Sequence, residues 1–167
     1  DAAGVTSSEA AQLQLGTYVF SEVILPGGSS STVGGISADG SVVCGTSDGR
    51  AFVWNVYDGP RDLGLPADAT AVAAAGVGLT NDGTMVVAIN ATTPAGTQAM
   101  RWDARVDGSA IFTSLPKMDG SQDWTARALG TDGSDVWIAG SSIGGGENDG
   151  REAGFYRQST NKTVSVP

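Results

Sequence analysis

The chain has 167 residues, 40% of them hydrophobic, and a mean hydropathy of −0.03, enough to bury one core of ordinary size and too apolar for a disordered segment. Only 16% of residues are charged and 25 are glycine, a balance typical of secreted β-proteins. The net charge of −9 opposes nucleic acid and anionic membrane surfaces as partners, and the longest mild apolar run, Ala71 to Val77, is far short of the roughly 18 residues of a membrane span.

In chain order, residues 1–15 read as an N-terminal arm, in which Ser7 or Ser8 would cap a short helix or the chain would form an irregular strand. Starting at Asp1 without a methionine, the chain is expected to be a mature or trimmed product. A single β-repeat domain is expected over 16–167, divided into units at about 16–27, 31–66, 70–116 and 122–167. The first of these carries Tyr18, Phe20 and Val23 to Pro26, which match only the last two strands of a unit. The unit 31–66 parses into strands Ser31–Ser37, Ser41–Ser47, Arg50–Val56 and Asp62–Leu65. The next has Thr70–Leu79, Thr84–Asn90, Thr97–Asp103 and Ala110–Leu115, with a longer surface loop at Ala91–Gly96. The last has Thr125–Gly130, Asp135–Ser141, Glu152–Arg157 and Thr163–Val166, with a Gly-rich insertion at Ile143–Gly150.

Two features support this parse. Asp-Gly pairs recur between β-branched and aromatic runs, and Asp-Gly readily takes the positive φ of tight hairpins. The segments beginning Ile36-Ser-Ala-Asp-Gly, Leu79-Thr-Asn-Asp-Gly and Leu129-Gly-Thr-Asp-Gly place Asp39-Gly40, Asp82-Gly83 and Asp132-Gly133 at intervals of 43 and 50 residues. Four short strands at that period predict an all-β, β-propeller-like array of four-stranded antiparallel blades, three complete and one partial.

Gly35-Ile-Ser-Ala-Asp-Gly-Ser-Val-Val-Cys-Gly45, Ala51-Phe-Val-Trp54 and Asp62-Leu-Gly-Leu-Pro66 together resemble the repeat of the HAF-repeat family of bacterial extracellular proteins. The second unit keeps Ala75 through Gly83 and Ala99-Met-Arg-Trp102; the third departs at Ala153-Gly-Phe-Tyr156, where Tyr156 stands for the tryptophan or is displaced from it by one residue. The resemblance implies a β-propeller and a secreted or cell-surface location, with no catalytic residue to carry over.

Histidine is absent, which removes Ser-His-Asp and Cys-His catalysis and the usual zinc ligands. Carboxylates remain as the general acid-base candidates of a hydrolase, but Asp39, Asp82 and Asp132 sit where an aspartate supports a turn. No enzymatic role is expected. No cofactor is required by this pattern; calcium, which takes carboxylates in flexible geometry, is the metal that Asp132 and Asp135 or Glu147 and Asp149 would bind. Trp54 and Trp102 recur at one strand position, which Tyr156 shares if it is not displaced, and the two tryptophans are expected to be largely buried between units. Trp124 follows a polar stretch and is the best candidate for an exposed aromatic that stacks on a sugar. Asn90 and Asn161 begin glycosylation sequons, and the single cysteine, Cys44, is expected to be a buried inert thiol.

Three and a half units fall short of a closed propeller and would leave strand edges unpaired. The expected function is therefore that of a secreted or surface structural or adhesive protein. It would act through self-association, as a homo-oligomer or filament completed at its strand edges, or through surface contact. The alternative is a carbohydrate-binding propeller whose partners are surface glycans.

Overall fold

The computed structural model describes residues 23–104, 109–117, 123–143 and 151–166. The arm at 1–15, most of the partial unit at 16–27, and Glu147 and Asp149 lie outside them. Twelve strands follow in order: β1 (Ser31–Ile36), β2 (Val43–Ser47), β3 (Arg50–Asn55), β4 (Gly59–Asp62), β5 (Ala71–Leu79), β6 (Met85–Thr93), β7 (Gly96–Ala104), β8 (Ala110–Ser114), β9 (Asp123–Asp132), β10 (Asp135–Ile143), β11 (Arg151–Arg157) and β12 (Lys162–Ser165). A single 3-10 turn, Gln158–Thr160, precedes β12. Each consecutive group of four forms an antiparallel meander, so the three complete units are present as all-β modules. Units 2 and 3 are joined into one eight-stranded sheet by a single parallel pair, Gln98 with Trp124.

Local chemistry sets each reversal. Asp48 and Gly49 both take positive φ, 46° and 78°, and make the two-residue corner between β2 and β3. Between β3 and β4 the carboxamide oxygen of Asn55 accepts from the backbone N–H of Tyr57 and of Asp58, an Asx turn that frees Gly59 to reverse the chain. The fourth strand accordingly begins earlier than expected, at Gly59 rather than Asp62. The surface loop expected at 91–96 is likewise absent: β6 runs to Thr93, Pro94-Ala95 form the corner, and β7 starts at Gly96. Proline at the first corner position presets the turn and needs no donor.

All three units close alike. Leu63, Leu115 and Val166 donate their backbone N–H to the carbonyls of Ala51, Ala99 and Ala153. Those alanines begin the third-strand motif, so Trp54, Trp102 and Tyr156 are equivalent, with no one-residue displacement of Tyr156.

The units pack face to face, and each strand's alternation divides its side chains between two neighbours. The incoming face of a unit is the one toward the preceding unit, and its outgoing face is the one toward the next. The outgoing face of unit 1 (Val42, Cys44, Ala51, Val53) meets the incoming face of unit 2 (Val87, Ile89, Met100, Trp102) in one core. The outgoing face of unit 2 (Val86, Ala88, Ala99) meets Trp124, Ala126, Ile138 and Tyr156 of unit 3 in a second. Unit 2 is therefore covered on both sides, and Val86-Val-Ala-Ile89 is an unbroken apolar run buried throughout.

The first strands β1, β5 and β9 lie side by side, each with one bulge, at Gly34, Ala75 and Arg127. A Cβ on Gly34 would collide with the carbonyl of Ala74, and one on Gly76 would crowd the backbone N of Leu129; glycine is what allows the backbones this close.

Candidate functional site

Three of the carboxylates singled out by the sequence, Asp39, Asp82 and Asp135, are engaged in holding the fold. In unit 1 the Ser37 hydroxyl donates to Asp39 at 2.6 Å, and the Asp39 carboxylate also accepts from the Ser41 N–H and hydroxyl. Gly40 closes the loop at φ 73°. The hydrogen bond from Ser37, with those from Ser41, holds the Asp39 carboxyl down at about 2. Unit 2 repeats the device: Thr80 Oγ1 and Thr84 N–H donate to Asp82, lowering its pKa through the Thr80 bond first, and Gly83 takes φ 80°. Asp48 accepts from the Ser29 backbone and hydroxyl and from the Ser30 hydroxyl, tying the segment before β1 to the β2–β3 corner.

Unit 3 differs. Its corner is Gly133-Ser134, and Asp132 closes the ladder opposite Asp135. The Asp132 carboxylate accepts no hydrogen bond among the described residues, whereas Thr131 reaches across to the Leu79 carbonyl of unit 2 at 3.0 Å.

Asp135 is fully committed: it accepts from Arg157 Nε (2.6 Å) and from the backbone N–H and hydroxyl of Ser159 (2.9 and 2.8 Å). The Arg157 bond is the main reason its carboxyl is lowered to about 2. Asp132 and Asp135 are not brought together with a third ligand. Among the described residues no group of three or more His, Cys, Asp or Glu side chains is placed to hold a metal, and Glu147 and Asp149 lie outside them. Nor is any helix among the described residues long and apolar enough to cross a membrane.

Trp124 corrects the sequence expectation of an exposed aromatic. It opens β9, pairs with Ser142 and with Gln98, and lies in the second core at 1% exposure. Its indole cannot stack on a sugar from there. The polar run before it hid the fact that β9 begins at Asp123, two residues earlier than the alternation indicates. Trp54 and Trp102 share a strand position but differ in cover: Trp102 is 1% exposed, while Trp54 is half-buried.

Each junction also uses polar side chains that sequence reasoning passed over. At the bulges of units 2 and 3 the preceding residue donates its N–H across the junction to a side chain of the unit before. The Ala74 N–H donates to Thr46 Oγ1 at 3.1 Å. The Ala126 N–H donates to Asn90 Oδ1 at 2.7 Å, and Asn90 Nδ2 returns a bond to the Ala126 carbonyl at 2.9 Å. The Asn90 carboxamide is thus a junction bond, which leaves no amide for a glycan. A lone polar residue in the run Val86 to Ala91 was the only signal for it. Arg61, on the outgoing face of unit 1, lies 5.7 Å from the Trp102 ring centroid of unit 2, and the charges of Arg101 and Asp103 weigh on the Tyr156 phenol in opposite directions. Burial, the larger influence, raises the Tyr156 phenol.

Two faces lie outside these two junctions. The incoming face of unit 1 is covered at Phe52 and Ser47, each 1% exposed, half-buried at Trp54 and Val43, and open at Val33 and Ile36, exposed at 74% and 60%. The outgoing face of unit 3 carries Trp137 and Phe155, half-buried with centroids 5.4 Å apart, beside exposed Ala128 and Ala139. Arg157 lies 4.6 Å over Trp137. Strand edges are poor alternatives, since the outer strands β4, β8 and β12 are only 4, 5 and 4 residues long and β4 contains Pro60, features that blunt an edge.

No protein-family model matches the chain, and no curated protein matches it in a sequence search.

Proposed function

We propose that this chain is a secreted or cell-surface structural repeat protein that works by contact, through self-association or attachment to a surface, and is not an enzyme. In this reading the three meanders are propeller-type blades of the HAF-repeat kind, with β1, β5 and β9 nearest the axis. The family and the location rest on the repeat motifs from Gly35 to Pro66 and on the composition.

One observation carries the reading. Two heterologous unit–unit junctions bury apolar cores, and among the described residues apolar side chains remain exposed on the outer faces of units 1 and 3, as stacked repeats show where another unit or partner docks. Of the aspartates that might have served chemistry, Asp39, Asp82 and Asp135 hold turns instead. The charge of −9 directs the partner away from nucleic acid.

Sedimentation of the chain over a range of concentrations without ligand, beside a glycan-array screen, tests this. Concentration-dependent association without glycan binding supports it. A monodisperse monomer that binds glycans overturns it in favour of the lectin reading, in which Trp137 and Phe155 rather than Trp124 would be the stacking surface.

A further inference from the structure

Five of the chain's Asp-Gly pairs lie among the described residues, at Asp39, Asp48, Asp58, Asp82 and Asp132. Glycine follows the aspartate in each, so a difference in their chemistry comes from the fold. Four of the carboxylates are occupied. Asp39 accepts from Ser37 and Ser41, Asp48 from Ser29 and Ser30, Asp82 from Thr80 and Thr84, and Asp58 from the Asn55 Nδ2 at 2.9 Å. At two of them the glycine amide is tied as well: the Gly40 N–H donates to the Ser37 carbonyl at 2.9 Å and the Gly83 N–H to the Thr80 carbonyl at 2.8 Å. Asp132 has neither restraint. It is exposed and its carboxylate accepts no hydrogen bond, while Gly133, the first corner residue at φ 64°, donates its N–H to no partner among the described residues. Little crowds that corner, since a Cβ placed on Gly133 would meet only the Asn81 Nδ2, at 3.4 Å.

We propose that Asp132-Gly133 is a site of spontaneous backbone modification, where aspartate passes through a succinimide to isoaspartate faster than at the other four pairs. The Gly133 nitrogen attacks Cγ of the neutral Asp132 carboxyl; the N–H proton goes to solvent and the carboxyl hydroxyl leaves as water. A second water then opens the five-membered ring. Opening at the α-carbonyl leaves the chain running through Cβ and Cγ, with one methylene added to the backbone and a free α-carboxylate; opening at Cγ restores aspartate. Water is the sole co-reactant. A carboxylate held ionised by donors is a poor electrophile, and an amide already bonded must give up that bond before it attacks. The site also touches the junction of units 2 and 3: the Gly133 carbonyl accepts from the Asn81 N–H at 3.1 Å, and beside it Thr131 reaches the Leu79 carbonyl. The inserted methylene displaces that carbonyl, so the modification loosens this end of the junction without cutting the chain.

The test ages the full chain at neutral pH and physiological temperature and locates isoaspartate residue by residue by mass-spectrometric fragmentation. It should form at Asp132 at least about fivefold faster than at Asp39, Asp48, Asp58 or Asp82, the worth of a single hydrogen bond. In guanidinium chloride the five should react at closely similar rates, because the following glycine is common to all. A preference for Asp132 that persists there belongs to the sequence and overturns the assignment, as does equal or faster reaction at any of the other four in the folded chain. The aged chain should also melt a few degrees below the fresh one, whereas Asp132→Ala, which cannot form the ring, should lose far less on ageing. Equal losses in the two would place the damage elsewhere, and an unchanged midpoint in a parent that carries isoaspartate at Asp132 would overturn the loosening of the junction.

Discussion

Units 1 and 2 are written in nearly the same words and meet different fates. Both have a Ser/Thr-x-Asp-Gly loop closed by the aspartate, both end on a leucine bonded back to the motif alanine, and both put a tryptophan three residues beyond that alanine. Trp102 is buried because unit 1 lies against it, whereas Trp54 is half-exposed and joins neither core cluster among the described residues. Burial here is a property of the neighbour rather than of the strand, so a motif can fix which way a side chain points without fixing what covers it.

Substitutions can sharpen that contrast. Trp102→Ala should have the largest effect, lowering stability by about 3–5 kcal/mol through the cavity left between units 1 and 2. Trp54→Ala should cost about 1–2 kcal/mol, in keeping with partial removal from water. Equal losses in urea titrations of the two variants would erase the distinction. Trp102→Phe should fall well below the alanine loss, since the Trp102 indole N–H is buried without a partner and its removal leaves no donor stranded.

The turns extend the comparison to unit 3. Asp39→Ala and Asp82→Ala should each lower the thermal midpoint by a few degrees, as each loses its loop bonds, while Asp132→Ala should leave it unchanged; a matching drop for Asp132 would show that the third turn is held like the first two.

Acid should discriminate in the same way. Asp39 and Asp135 are held at about 2 in the folded chain against an ordinary value of 3.8. Their contribution is therefore complete above about pH 4 and is lost as pH falls toward 2. Thermal midpoints should be flat above pH 5 and fall below pH 4, with a shallower fall in an Asp39→Asn, Asp135→Asn double variant; an identical acid limb in that variant would place the sensitivity elsewhere. The smallest effect is expected from calcium. Neither its addition nor chelation should move the midpoint, and a rise of several degrees with calcium would return Asp132 and Asp135, or Glu147 and Asp149, as ligands.

The strand-turn-strand order was readable because Asp48-Gly49 and the paired Asp39 and Asp82 loops are local chemistry, decided within a few residues. Tyr156 could be matched to the tryptophans only through the backbone bond from Val166 to Ala153, which no sequence spacing displays. The position of β4 was missed because Asn55 makes its own turn and so moves the reversal upstream of the apolar Leu63. Trp124 was misplaced for a related reason: its strand starts inside a polar stretch, and what buries it comes from another unit. The exposed faces escaped sequence reading almost wholly. One bulge in each first strand changes which residues share a face, so Val33 and Ile36, three apart, end on the same side.

Cys44 gives the first junction a built-in reporter. The thiol lies in the core between units 1 and 2 with no exposed surface, and burial raises it to about 12. A thiol reagent can reach it only when the two units part, because the thiolate that would react is suppressed for as long as they are closed. The labelling rate of this single cysteine therefore measures how often the array opens between its first two units, without any engineered probe.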